Sequence, residues 1–260
     1  MLVDYTLFGT VDKVTEAIER LRQYEPPEGF YLAFSGGKDS VAVKALADMA
    51  GVKYDAHYSL TTVDPPELVK FIKQVHPDVE IKYPETTLWR LMVKKTMPPT
   101  RTVRYCCSVL KEQGGKGRVV LTGVRRQESS KRAGRQLVED CKRDKTQTFI
   151  NPIVDWMDED VWEFIHKYNV PYCSLYDEGF KRLGCIGCPL AGRDKQNKEL
   201  ERWPKYKEAY LRTFERIIQE RKRRGMPCQW ETAQDIMDWW QMTAGRNVSQ
   251  CDDDQGVLFE

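Results

Sequence analysis

Apolar residues recur along the chain in two alternating rhythms. Val11, Val14, Ile18 and Leu21 fall three or four apart with charges between them, which predicts an amphipathic helix N-capped by Thr10 and ending before Pro26-Pro27. Phe30 to Phe34 is an apolar run of strand length. A Ser/Gly turn follows it, then a helix from Val41 to Ala50 closed by Gly51. The sequence repeats this pattern with a strand over 53–60, a helix starting at Pro65-Pro66 and a strand near Ile81. A helix from Thr87 through Lys95 and a buried strand over 118–122 come next. Strands alternating with helices imply right-handed crossovers and a parallel α/β sheet flanked by helices. Beyond Asn151-Pro152-Ile153, a helix is expected over 158–168 with Val161, Trp162 and Ile165 inward. Residues 170–192 read as a structured loop. Long helices are expected over 203–224 and 231–242, and the last ten residues as a frayed acidic tail. This gives a linear division into an N-terminal helix (1–25), an α/β domain (26–192) and a helical C-terminal extension (193–260).

Composition sharpens this in two places. The formal charge is only +2, yet residues 90–145 carry 16 basic and 5 acidic side chains. So uneven a distribution points either to a built-in anion site or to a solvated basic face. Eight cysteines in a chain expected to be soluble and cytoplasmic, with no signal peptide and no membrane segment, favour metal or redox chemistry over disulfides. Hydrophobic content of 41% suffices for a core.

Ser35-Gly36-Gly37-Lys38-Asp39-Ser40 lies between the first apolar strand and its helix. Backbone N–H groups and the positive end of a helix dipole converge there, which makes a phosphate cradle. Two glycines let the backbone curl, Ser35 and Ser40 add hydroxyls, and Lys38 adds charge. Neither a Walker A spacing nor Gly-x-Gly-x-x-Gly occurs. The string resembles the PP-loop of the adenine nucleotide alpha hydrolases, which cleave ATP between its alpha and beta phosphates. A second block, Thr122-Gly123-Val124-Arg125-Arg126-Gln127-Glu128-Ser129-Ser130-Lys131-Arg132, follows a predicted strand, at the edge where ligands bind open α/β sheets. It resembles the loop of phosphoadenosine phosphosulfate reductases and their relatives. Asn151-Pro152-Ile153 with Asp155-Trp156, and Pro171-Tyr172 with Leu175-Tyr176-Asp177-Glu178-Gly179, resemble them too. The resemblance runs from about Phe30 to Pro189 and implies a Rossmann-like PP-loop sheet that binds an adenine nucleotide. It assigns Ser35, Gly36, Gly37, Lys38, Asp39, Ser40, Thr62, Gly123, Arg125, Glu128, Ser129 and Arg132 to the nucleotide, with Lys38, Asp39, Arg125 and Arg132 serving catalysis.

Cys106-Cys107 and Cys185-Ile186-Gly187-Cys188 supply four thiols on two segments. Zinc, an iron-sulfur cluster and unliganded thiols all remain open from the residues, although an adjacent pair is unusual for a zinc knuckle. The set resembles the cluster ligands of 4Fe-4S adenosine phosphosulfate reductases, flanking Arg104 and Lys111 included. That resemblance implies a 4Fe-4S cluster on Cys106, Cys107, Cys185 and Cys188. It breaks at the C-terminus, where the reductases carry a Glu-Cys-Gly-Leu/Ile-His nucleophile motif. Here Cys251 sits beside Asp252-Asp253-Asp254, which discourages thiolate formation.

The intact SGGKDS string and the missing cysteine motif both favour ATP with Mg2+ over a phosphosulfate. The expected chemistry is adenylation with pyrophosphate release, in sulfur transfer to a nucleic acid or a small molecule. A sulfur donor or thiol reductant protein would act as partner, and a homodimer is left open. Two alternatives stand beside it. One is a phosphosulfate reductase using APS or PAPS, with its nucleophile from Cys173, Cys228, Cys251 or a partner. The other is a non-catalytic nucleotide-binding subunit of a defence or regulatory complex. Trp203, Trp230, Trp239 and Trp240 read as packing residues in preference to base-stacking ones. Lys142, Arg143 and Lys145 are the basic residues that none of this explains.

Overall fold

The computed structural model describes residues 2–6, 9–141 and 145–244. In chain order the elements are β1 (Val3–Thr6), β2 (Gly9–Asp12), α1 (Lys13–Gln23), β3 (Phe30–Ala33), α2 (Lys38–Ala50), β4 (Tyr54–Ser59), α3 (Pro66–Val75), β5 (Glu80–Lys82), α4 (Leu88–Lys95), α5 (Tyr105–Leu110), β6 (Val119–Leu121), β7 (Val138–Asp140), β8 (Thr148–Ile150), α6 (Asp158–Lys167), α7 (Arg193–Arg202), α8 (Pro204–Arg223) and α9 (Ala233–Ala244). They fall into two compact units, each discontinuous in sequence. The first comprises 1–59, 66–82 and 113–183, the second 60–65, 83–112 and 184–260. Packing thus groups the chain differently from a linear division at 25 and 192. Among the described residues, no helix is long and apolar enough to cross a membrane.

The first unit is an α/β layer. Its sheet, counted over the described residues, has six strands in the order β5-β4-β3-β6-β8-β7, parallel except for the last pair. Phe30 and Leu32 are wholly buried, as are Ala42, Val43, Leu46 and Ala47 of α2. The strands fill outward from β3 in both directions, first through β4 and β5, then through β6 and β8. The carboxyl ends of β3 and β6 therefore flank the topological switch point, where open α/β sheets bind ligands. Gly51 closes α2 in the left-handed region, donating to the Ala47 and Asp48 carbonyls.

The N-terminus differs from the sequence reading. Val3–Thr6 and Gly9–Asp12 pair as an antiparallel hairpin, so Val11 belongs to a strand and is exposed. The helix starts at Lys13, and its cap is Asp12, not Thr10; the Asp12 carboxylate accepts from the N–H groups of Val14 and Thr15. Helical spacing carried Val11 along because a short hairpin strand leaves no period of its own.

The second unit is helical. Trp240, Phe214, Tyr210 and Ile217 of α8 and α9 are buried together, and the Trp240 indole N–H donates to the Pro99 carbonyl. The tryptophans pack as expected, with Trp203 and Trp230 nearly buried. Helix α7 was missed because its buried face is polar: Gln196 and Glu199 lie inward beside Leu200.

Candidate functional site

In the first unit the chain leaves β3 through a glycine turn. Gly36 takes φ +71°, and a Cβ there would stand 2.8 Å from the Ile72 and Leu68 side-chain ends, so this turn needs glycine. The two serines hold it closed. Ser35 Oγ and Ser40 Oγ are 3.1 Å apart, Ser40 donates to the Gly37 carbonyl, and the Gly37 N–H donates to Ser35 Oγ. At the first turn of α2 the Lys38 N–H donates to the Tyr176 hydroxyl at 2.9 Å. An acceptor oxygen thus already sits at the helix N-terminus, the position suited to an anion.

The loop after β6 is pressed against this turn. A Cβ on Gly123 would lie 2.8 Å from the Asp39 carbonyl carbon and 3.0 Å from the Ser40 nitrogen. That approach delivers Arg125, only 3% exposed, to the start of α2. Its Nε meets Asp39 Oδ1 at 2.7 Å and its Nη2 meets Asp158 Oδ1 at 2.8 Å. Lys38 Nζ reaches the same two oxygens, at 2.9 Å and 2.7 Å. Gln127 accepts from the Asp158 N–H, and the Trp156 carbonyl accepts from Arg125. Arg132 closes instead on Glu128, within its own loop, and Glu128 also accepts from the Arg125 N–H. Ser129 is exposed and extended at the turn between them. The structure thus brings Lys38, Asp39, Gly123 and Arg125 together with Ser35 and Ser40.

Sequence reasoning missed Asp158 and gave Tyr176 no role. Nothing local marks Asp158 among the acidic residues that open α6. Thr62 belongs to the second unit, at φ +69°, where its hydroxyl accepts the Leu88 N–H at the start of α4.

Burial alone would raise the carboxyl pKa of Asp155, Asp158 and Asp160. Ion pairing outweighs it in each case, through Arg20 at Asp155, Lys38 with Arg125 at Asp158, and Lys13 at Asp160, and all three end below the ordinary carboxylate value. Depressed carboxylates stabilise the fold above the unfolded value of about 3.9, and that contribution drains away as pH falls through the folded values. The stability that these three carboxylates contribute, measured by urea unfolding, should therefore hold a plateau from pH 7 to 5 and fall steeply below about pH 4. Asp160→Asn, at a wholly buried carboxylate, should lower the plateau and flatten the acid limb.

The second unit holds Cys106, Cys107, Cys185 and Cys188. Cys106 and Cys107 lie in the first turn of α5. Their thiols share a hydrogen bond that raises the Cys106 pKa and, despite burial, drops Cys107 to about 5, helped by the Arg104 guanidinium 3.6 Å away. Cys185 Sγ is 3.3 Å from the Thr61 hydroxyl. Lys111, though an exposed residue overall, has its ammonium favoured first by the Cys185 charge, against the cost of desolvation, and then by Asp64 and Cys188. Four thiols with Arg104 and Lys111 beside them are of the residue types that a thiolate-ligated, anionic cluster uses. Among the described residues, no three Cys, His, Asp or Glu side chains stand together as a ready site for one metal ion.

Helix α7 grips the Cys-x-x-Cys loop. Glu199 accepts the Gly187 N–H at 2.8 Å, Gln196 donates to the Gly187 carbonyl at 2.9 Å, and Tyr210 donates to the Ile186 carbonyl. Gly187 lies at φ +71° against the Tyr210 and Trp240 rings. Glu199→Leu would leave a buried N–H unpaired, at about 1–3 kcal/mol. It should lower Tm and speed alkylation of Cys185 and Cys188 in the native protein, whereas Glu199→Gln, which keeps an acceptor, should restore both.

A mostly parallel sheet whose central strand runs through a Ser-Gly-Gly turn into a helix, with an arginine loop pressed on that turn, defines a Rossmann-like PP-loop fold. The chain belongs to the phosphoadenosine phosphosulfate reductase family: residues 29–191 match its phosphoadenosine phosphosulfate reductase domain. An uncharacterized protein of Methanocaldococcus jannaschii is 33% identical over 205 residues, covering 74% of this chain and 47% of the relative. The chain therefore spans about half that relative's length, and 40% of a second protein from the same organism. The adenosine 5'-phosphosulfate reductase of Staphylococcus haemolyticus is 26% identical over 173 residues, 63% of this chain and 69% of the relative. In fold, the chain is similar to the phosphoadenylyl-sulfate reductase of Candida auris, solved as a phosphate complex (TM-score 0.50, 18% identity, 65% of this chain and 88% of that one).

Proposed function

We propose that the protein is a nucleotide-utilising enzyme of this family that cleaves ATP between its alpha and beta phosphates, in sulfur-transfer chemistry. The observation that carries the reading is the intact glycine turn at the sheet's switch point, with Lys38 and Arg125 converging at the start of α2. An acceptor oxygen would attack the alpha phosphorus in line, leaving an adenylated acceptor and pyrophosphate. Lys38 and the turn's N–H groups would hold the leaving pyrophosphate, and Arg125 would neutralise charge that develops at the phosphorus oxygens. Asp39 would help hold Mg2+, whose contribution is to offset polyphosphate charge. Cys106, Cys107, Cys185 and Cys188 would hold a 4Fe-4S cluster, which when bound supplies a sulfur-carrying or electron-carrying centre. Arg104 and Lys111 balance thiolate charge in that second unit.

The test is pyrophosphate release from ATP by the purified protein, with water standing in for the acceptor and AMP formed alongside. Wild type should turn over, and Lys38→Ala should lose at least about a hundredfold. A protein that releases sulfite from adenosine phosphosulfate but no pyrophosphate from ATP would overturn the reading.

That outcome belongs to a second reading, a phosphosulfate reductase, favoured by the likeness to the Staphylococcus haemolyticus enzyme. Its nucleophile is the difficulty. Cys173 is 1% exposed and its thiol is pushed up, chiefly by burial. The Cys228 thiol donates to the Trp230 carbonyl, and Cys251 lies outside the described residues. The sulfur acceptor, nucleic acid or small molecule, is part of the same proposal. Lys145 is exposed, while Lys142 and Arg143 lie outside the described residues.

A further inference from the structure

The cations expected at a phosphate do not stand free in the first unit. Lys38 and Arg125 both bind the same two oxygens, Asp39 Oδ1 and Asp158 Oδ1, with all four distances from 2.7 to 2.9 Å. Two positive and two negative groups alternate around one ring and cancel. Arg132 is likewise balanced by Glu128. The α2 N-terminus adds positive potential worth about half a charge.

A bare polyanion approaching this turn would set its oxygens against two carboxylates whose cations are already neutralised. A triphosphate chelating a divalent cation carries the missing positive charge with it. Hard cations such as Mg2+ are commonly shared between one or two carboxylates and substrate phosphates. A phosphosulfate anhydride lacks the adjoining phosphates that chelate such a cation.

We propose that Asp158 is a specificity-determining residue that, together with Asp39, makes this site select a nucleoside triphosphate complexed to a divalent cation over metal-free nucleotides. The inference rests on the nucleotide-site reading above and deepens it. Asp158 is the informative member of the pair. It comes from the first residue of α6, so neutralising it leaves the glycine turn intact, and its side chain is 48% exposed, open to an incoming ligand.

The experiment is calorimetric titration of the whole chain with ATP plus Mg2+, ATP plus EDTA, and adenosine phosphosulfate plus EDTA. Wild type should bind the Mg2+ complex at least about tenfold tighter than either metal-free nucleotide. Asp158→Asn should tighten both metal-free ligands about tenfold while moving the Mg2+ complex by less than about threefold. Asp158→Ser, compatible with a first helical turn, is run beside it and should behave alike, and Asp158→Glu should stay close to wild type. Unchanged or weaker metal-free binding in the folded neutral variants overturns the proposal, as does a wild type that prefers metal-free phosphosulfate. A wild type that binds no adenine nucleotide in any form defeats the nucleotide-site reading itself, whereas binding that is indifferent to Asp158 defeats only the selectivity.

Discussion

Gly123→Ala should destabilise the protein by about 2–3 kcal/mol, a Tm drop of roughly 5–10 °C for a chain of this size. The added Cβ would sit 2.8 Å from the Asp39 carbonyl carbon and 2.9 Å from its oxygen. Those are backbone atoms of the first turn of α2, and they cannot swing aside as a side-chain end can. Either α2 or the loop after β6 must move, and with it the Arg125 contact to Asp39. The substitution should therefore cost nucleotide affinity as well as stability, and Gly123→Val should be worse on both counts. Gly134→Ala is the matched control on the same loop, since nothing lies within 4 Å of a Cβ there; it should change stability by less than about 0.5 kcal/mol. A Gly123→Ala protein melting within a degree of wild type would mean that the approach is not rigid.

Arg125→Leu carries the second large effect. The guanidinium is almost wholly buried and serves Asp39, Asp158, Gln127 and the Trp156 carbonyl at once. Breaking a buried ion pair from one side costs about 3–5 kcal/mol. Asp158 is about half exposed and water can take over its solvation, so about 2–3 kcal/mol is expected here. The denaturation midpoint should fall at an unchanged urea slope. Arg125→Lys should recover little of it, because a single ammonium cannot span both carboxylates and the carbonyl that the planar fork reaches. A midpoint equal to wild type in Arg125→Leu would show the ring to be solvated and loose.

Much of the nucleotide half was legible in the sequence. An apolar run, two glycines in a Ser-Gly turn and a helix stop at Gly51 each carry a local signal, and each formed as read. The block from Thr122 to Arg132 was found because its residue types are contiguous. Asp158 was not found because its role comes from a contact to Arg125 and Lys38 across more than thirty positions, and its own neighbourhood looks like any acidic helix start. Elements β7, α5 and α7 were missed for related reasons. An edge strand of three residues, a helix of six and a helix whose buried face is Gln196 and Glu199 have no hydrophobic period to read.

The charge excess of residues 90–145 shows where pattern ends and packing begins. Sequence placed Arg104 and Lys111 beside the cysteine pair and Arg125 and Arg132 on the ligand loop, because chain proximity and residue type suffice for that. It also determined the family, the α/β alternation and the glycine turn, all of which are local. Only the tertiary structure decided that Arg125 and Arg132 are each already matched by carboxylates. It alone decided that Gly123 is the residue allowing two backbones to touch, and that the cysteine loop is held by a polar face of α7. Charge balance and close approach are properties of atoms a few ångströms apart in space. A one-dimensional pattern records which groups exist but not which of them cancel.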